Sequence, residues 1–214
     1  MQIQLSNLIF NWFDGLVLVL IVAGVVRGRK HGMSGELILL LQWVCILVVG
    51  AFTYQQVGGL LRTTTGIDPT YCNVGVYLLN ALLIKWAFTA IKNLVGDRLL
   101  NADVFGGGEY FFGMVAGALR WLCMLLFCLA LFNAIYITDT QRHATAKMQQ
   151  DNFGAVSFPT LSATQHAVFR ESTSGVVLKK YLNILLIQPV PPSGEPPKET
   201  LRQERERKFN DMIK

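Results

Sequence analysis

Four ionisable side chains stand inside long apolar runs of this sequence: Asp14, Glu36, Lys85 and Arg120. Charged groups are costly in lipid, so in membrane helices they usually face the bundle interior or a water-filled cavity. Such groups can line a polar pathway or binding site between helices. They can also form a buried ion pair that fixes helix register, or extend towards lipid headgroups. All three interpretations are open from the sequence.

Motifs of common enzyme classes are missing from the sequence. It contains no GxSxG, HExxH or GxxxxGK[ST] pattern, and Ser172 and Ser174 before Gly175 do not form a nucleophile elbow. Three widely separated histidines are predicted to be solvated loop residues: His31, His143 and His166. We therefore predict a non-enzyme with no catalytic residue, no cofactor and no metal site.

The composition is that of a membrane protein with a polar C-terminal part. The chain of 214 residues is 52% hydrophobic and 15% charged, whereas soluble domains carry about 25% charged residues. Its net charge of +5 suits anionic lipid surfaces better than nucleic acid, because no basic stripe is interleaved with aromatics. Four cysteines without metal-ligand spacing are predicted to be apolar packing residues: Cys45, Cys72, Cys123 and Cys128.

Apolar runs of about 20 residues predict four membrane-spanning helices, since a hydrocarbon core about 30 Å thick needs that length. The predicted spans are 8–26, 35–54, 71–95 and 109–137. No lysine or arginine precedes the first run, so it is predicted to stay as an anchor and not to be a cleaved signal.

The segments between the spans carry glycines and charges. A tight basic turn in water is predicted over 27–35, with Arg27, Gly28, Gly32 and Gly35 as its characteristic residues. A polar connector is predicted over 55–70 and a loop over 96–108. In the fourth span, Gly113 and Gly117 form a small-xxx-small element that favours close packing within one bundle.

The part after residue 137 is predicted to be extramembrane. Within 138–188, the apolar stretch 176–187 is too short and too charged to span, so it predicts an amphipathic helix on the membrane or packed back on the bundle. A proline-rich linker and a charged tail follow over 189–214. The predicted fold is therefore all-α and polytopic: a four-helix transmembrane domain (1–137), a short amphipathic helix (within 138–188) and a flexible charged C-terminal tail (189–214).

Positive charges predict the orientation of the spans. With four spans, the loops 27–35 and 92–109 share one side and hold five cations, against three near the spans on the other side. The positive-inside rule then places these loops in the cytoplasm and both termini in the periplasm. Under this orientation Lys85 and Arg120 lie in the inner half of the bundle and Glu36 near its inner boundary. Glu36 can reach one of the two cations, whereas Asp14 lies in the outer half.

Several segments together resemble the colicin V production protein (CvpA) family. The resemblance rests on the early aspartate Asp14 and on the sequence from Arg27 to Leu37, a basic turn punctuated by glycines and followed by Glu-Leu. The last span is also similar, since it is rich in glycine and carries an arginine: Gly113, Gly117, Ala118 and Arg120. So is the short segment after the spans, which contains serines: Ser172, Ser174, Tyr181 and Pro189. It covers about residues 8–190.

This resemblance implies a multi-pass protein of the bacterial inner membrane that acts in toxin production or export, or more broadly in envelope homeostasis. It supplies no catalytic residue. Two rival functions are open: a small transporter or channel subunit that uses Glu36, Lys85 and Arg120, and a scaffold that recruits a partner through its tail. The expected partners are the lipid bilayer and other membrane or envelope proteins, with a homo-oligomer as an open alternative and no nucleic acid.

Overall fold

The computed structural model describes residues 11–95, 106–153 and 160–190, and these are helical with short connections and contain no strand. The α-helices are α1 (Trp12–Thr65), α2 (Pro69–Val95), α3 (Glu109–Ala134), α4 (Asp139–Phe153), α5 (Leu161–His166) and α6 (Thr173–Tyr181). A π-helical turn over Ala167–Glu171 joins α5 to α6, and 3₁₀ turns cover Gly106–Gly108 and Asn183–Leu185.

Three helices in the described part of the chain are long and apolar enough to cross a membrane: α1, the stretch Pro69–Leu94 of α2, and α3. The predicted all-helical membrane architecture is therefore confirmed at this level. The 54 residues of α1 would measure roughly 80 Å if straight, at about 1.5 Å per residue, which is far more than one bilayer crossing requires.

The helix α1 reverses direction at Gly32. This glycine alone in α1 is non-helical, with φ 69° and ψ 176°, in the left-handed region that only glycine occupies without strain. Residues 12–31 (the first arm) and 33–65 (the second arm) then run antiparallel, which brings Phe13 and Tyr54 into one hydrophobic cluster. The predicted nine-residue turn over 27–35 is thus wrong in extent. Helix continues on both sides of Gly32, and the basic residues belong to the last turn of the first arm.

The second arm also continues past Tyr54, so the polar connector predicted over 55–70 is wrong. The helix ends at Thr65, where Gly66 (φ 68°) donates its backbone N–H to the Arg62 carbonyl. Hydroxyls of Thr63, Thr64 and Thr65 each donate to a carbonyl three or four residues earlier. These bonds satisfy the hydroxyls on the helix itself, at the carbonyls of Leu60 and Leu61, so the polar side chains do not interrupt the helix.

The helix α2 packs against the second arm and leaves its other face exposed. Tyr77 lies fully buried over Gly50, and the Asn80 amide donates to the Thr53 hydroxyl at 2.5 Å. The helix starts at Pro69, two residues before the predicted span. Proline suits the first helical position because its missing N–H would have no partner there.

Both arms of α1 pack on α3. Gly24 and Gly28 of the first arm face Gly117 and Gly113, and Trp43 of the second arm contacts Phe127 edge to face. Glycine on both sides lets the two backbones approach closely without side chains between them. The helix α3 ends at Ala134, three residues before the predicted end of the fourth span.

The segment 160–190 folds back over one end of this bundle. Val168, Phe169, Leu186 and Ile187 are buried in the same cluster as Leu129. Helix α6 covers Thr173–Tyr181 and gives way to a 3₁₀ turn, so the stretch 176–187 is not one continuous helix. Packing back on the bundle, one of the two predicted outcomes, is what the structure shows. Most of the predicted loop 96–108 and the tail from residue 191 onwards lie outside the described residues.

Candidate functional site

A charged cluster lies near the turn between the two arms. An oxygen of Glu36, in the second arm, lies 2.7 Å from a guanidinium nitrogen of Arg120 in α3. The side chain of Glu36 is 1% exposed and that of Arg120 is 10% exposed. Both groups are nearly dehydrated, so their mutual attraction is little screened by water.

Two groups of the first arm approach the same carboxylate from outside. The other Glu36 oxygen lies 3.9 Å from the Arg27 Nε atom and 4.0 Å from the His31 Nδ1 atom. Arg27 and His31 are both about half exposed. The carboxylate of Glu36 thus links both arms of α1 and α3, and connects a buried cation to the surface of the bundle.

Asp14 forms a second polar site at the opposite end of the bundle. Its carboxylate accepts hydrogen bonds from the Ser174 backbone N–H at 2.7 Å, from the Ser172 hydroxyl at 3.0 Å and from the Thr173 N–H at 3.3 Å. It also accepts from the Asn11 N–H at 3.0 Å, which completes a capping box at the start of α1. Asp14 therefore binds the N-termini of two helices at once, where negative charge is favoured by the helix dipole.

Ser172 is the N-cap of α6 as well as a ligand of Asp14. Its hydroxyl accepts from the Gly175 N–H at 3.0 Å while it donates to Asp14, and the residue is fully buried. Gly175 packs so closely on the Val168 carbonyl that a side chain would not fit there. The sequence identified the Ser-x-Ser-Gly pattern but not its partner, because Asp14 lies 158 positions away.

Lys85 stands apart from the other three ionisable residues. It is exposed on α2, and this helix packs mainly on the second arm. No ion pair joins Lys85 to another group within the described residues. The structure therefore brings Glu36 and Arg120 together, and leaves Asp14 and Lys85 at separate places.

The remaining predicted site residues lie along the first arm and α3. Gly28 and Gly32 are buried, and Arg27 is on the rim of the charged cluster. Gly35 faces only the His31 side chain of its own turn. Glu109 was missed by sequence reasoning: it is 6% exposed and accepts the Ser34 backbone N–H at 2.6 Å, which stabilises the turn after Gly32.

Asn133 is a second residue that sequence reasoning missed. It is 2% exposed, donates to the Ile187 carbonyl at 2.9 Å and accepts from the Lys179 ammonium at 3.2 Å. The same ammonium lies 4.8 Å from the centre of the Phe169 ring. Partial burial, together with the positive charge of Arg170, lowers the pKa of Lys179. These contacts hold α6 against the end of α3.

The described residues contain no cluster of three or more histidines, cysteines, aspartates or glutamates that could hold a metal ion. His166 pairs with Glu171 at 2.9 Å on the surface, away from the charged cluster.

Comparison with known proteins identifies a family for this chain. The family model described as "Colicin V production protein" matches residues 13–157, a range that holds the Glu36–Arg120 pair and the three candidate spans apart from Trp12. No curated protein and no solved structure shows significant similarity to the chain.

Proposed function

This chain belongs to the Colicin V production protein family, and from that premise we propose that it is a non-enzymatic accessory in the production or export of a colicin V-type toxin, or in envelope homeostasis. Its membrane helices and its family fit a membrane accessory protein. The finer role rests on how the chain uses its polar groups.

The Glu36–Arg120 pair is the observation that best supports an accessory role. Its two members belong to different helices, and its carboxylate also faces Arg27. A buried pair of this kind fixes which faces of the helices meet, because an unpaired charge in the interior is strongly unfavourable. The Asp14 site likewise fixes the segment after the membrane. Both sites favour a defined, static surface over an open polar pathway.

We further propose four crossings of the bacterial inner membrane: the two arms of α1, then α2 and α3. Gly32 packs against Glu109, so the turn of α1 and the start of α3 lie at the same end, as the proposed orientation requires. That end would face the cytoplasm, because it has the larger share of the basic residues near the spans. The end with Asp14 and α6 would face the periplasm.

A secretion assay tests the proposed role. Deleting the gene from a bacterium that produces a colicin V-type toxin should reduce the secreted toxin, and expression of this chain should restore it. Arg120→Gln should restore less, whereas Arg29→Gln, an exposed cation of the first arm, should restore fully. Unchanged toxin secretion and unchanged detergent sensitivity in the deletion strain would contradict both forms of the role.

Substitution of Lys85 distinguishes the accessory role from that of a transporter or channel subunit. An accessory whose helices are held by Glu36 and Arg120 should tolerate Lys85→Leu, since Lys85 is exposed and outside the charged cluster. A Lys85→Leu protein that inserts normally but fails in the secretion assay would favour the transporter.

Deletion of residues 190–214 tests the scaffold hypothesis in the same strain, through the proteins that co-purify with the chain.

A further inference from the structure

A cavity of about 260 Å³ opens between the end of the second arm, the start of α2 and the segment that returns after α6. Nine of the described residues line it: Tyr54, Gln55, Gly58, Gly59, Arg62, Pro69, Asn73, Gln188 and Val190. This volume is well above what a single water molecule needs. None of the contacts described above uses this space, and the charged cluster around Glu36 lies at the other end of the bundle.

The lining of the cavity contains several hydrogen-bond donors and one positive charge. Arg62 contributes the only formal charge among the described lining residues, and none of them is a carboxylate. The Tyr54 hydroxyl accepts from the Gln55 amide at 2.9 Å and from the Gln188 backbone N–H at 3.1 Å. With both acceptor positions used, its proton is directed to a further acceptor.

Asn73 gives an independent sign that a ligand belongs here. It is 8% exposed, and its amide packs against Gly58. Within residues 11–95, 106–153 and 160–190 its side chain makes no hydrogen bond. Its polar atoms are not sealed off from the cavity, so they are available to a polar group that enters it. Since Asn73 lines the cavity, a polar ligand in the cavity can satisfy it.

The position of the cavity identifies the chemistry of that ligand. Tyr54 ends the apolar part of the second arm, and tyrosines are enriched where hydrocarbon meets headgroups. The N-terminus of α2 at Pro69 also faces the cavity and carries the positive end of a helix dipole. An arginine, a helix N-terminus and several neutral donors together suit a phosphate group.

We propose that this cavity binds a phosphate-bearing anionic headgroup, with Arg62 as its charged ligand and Tyr54 and Asn73 as neutral donors. Leu186 and Ile187, each 1% exposed, hold the returning segment in place so that Gln188 closes one side of the cavity. The site therefore exists only when the segment after α6 is docked on the bundle.

Native mass spectrometry of the full chain in detergent tests this site. Phosphatidylglycerol and phosphatidylcholine are the lipid probes, and inorganic phosphate is a competitor. We expect retention of one phosphatidylglycerol in preference to phosphatidylcholine. Arg62→Gln should weaken this binding about tenfold, the effect of one lost charge-assisted hydrogen bond. Arg29→Gln removes an exposed cation from the other end and should change nothing.

A second variant, Gly59→Phe, fills the cavity and keeps the charge of Arg62. Gly59 lines the cavity, and a Cβ atom added to it would have no other atom within 4 Å, so Gly59→Phe should fill the cavity without disturbing the helix. Loss of lipid in Gly59→Phe and Arg62→Gln, with unchanged melting temperatures, would support the site. Displacement of lipid by millimolar phosphate would identify free phosphate as the source of the ligand. Equal lipid retention in wild type and both variants would overturn the proposal, as would equal loss in Arg29→Gln.

Discussion

Glu36 and Arg120 form a 2.7 Å ion pair between the second arm of α1 and α3, with neither side chain more than 10% exposed. Arg27, which also faces Glu36, directly precedes Gly28, where the first arm packs closely on Gly113 of α3. The same place in the bundle thus combines close backbone packing with a buried charge pair. Each feature restricts the register of the helices, and each can be tested by itself.

Removing one member of the pair should cost more stability than removing both. Glu36→Leu or Arg120→Leu leaves a buried charge without its partner, which costs about 3–5 kcal/mol. The double variant replaces the pair by apolar groups, and we expect it to be more stable than either single variant. Thermal unfolding in detergent measures all three.

Arg27→Gln is the matched control for that series. Arg27 also faces Glu36, at 3.9 Å, but its side chain is 53% exposed, so the loss should stay below about 1 kcal/mol. If the loss of stability in the double variant equals the sum of the losses in the two single variants, Glu36 and Arg120 are not coupled in the folded protein.

Gly28→Val should disrupt the contact between the first arm and α3. A side chain at Gly28 would overlap the Gly113 carbonyl, and backbone atoms cannot move aside as a flexible side chain can. Overpacking of this kind costs about 1–3 kcal/mol or more. Gly15→Val, in the same arm, has no atom within 4 Å of the added Cβ and is the control. The melting temperature of Gly28→Val should fall well below that of Gly15→Val.

Asp14→Ala should release the segment 160–190 from the bundle. Four hydrogen bonds to the carboxylate are lost, three of them from the first residues of α6 and its N-cap. Loss of one helix cap costs about 1 kcal/mol, and here two helix N-termini lose the same acceptor. Hydrogen exchange should therefore become faster over residues 160–190.

Asp68→Ala provides the control for that exchange measurement. Asp68 is an exposed aspartate directly before the start of α2 at Pro69, and within the described residues no hydrogen bond or ion pair joins its side chain to α6. Its exchange pattern over 160–190 should match the wild type. Equal protection of this segment in Asp14→Ala and wild type would show that Asp14 does not hold it.

Lys179 should lose its proton at a lower pH than the ordinary lysine value of 10.5, because partial burial and Arg170 lower its pKa. The folded state then binds fewer protons than the unfolded state between the lowered pKa and 10.5. Stability should consequently rise with pH across that window. Isotope-labelled lysine NMR can follow the titration directly. Arg170→Ala should raise the pKa of Lys179, and Arg29→Ala should leave it unchanged.

Much of the fold follows from local sequence. Runs of apolar residues predicted the helices that can span a membrane, because the transfer free energy of a helix into lipid is a sum over its own residues. The same reasoning misjudged where helices end. It took Arg27–Lys30 and 55–65 for loops because they are polar, whereas both stretches are helical. A polar stretch indicates contact with water, but contact with water does not by itself end a helix.

The sequence by itself determined that lipid surrounds most of the helices, and which ionisable residues would need partners there. Asp14, Glu36 and Arg120 are conspicuous in any reading of their apolar surroundings. Only the tertiary structure decided which partners they have. Asp14 is bound by residues 158 positions away, and Glu36 meets Arg120 because one glycine, Gly32, reverses α1. Partnership depends on helix register and on where a distant segment returns, and neither is a property of neighbouring residues.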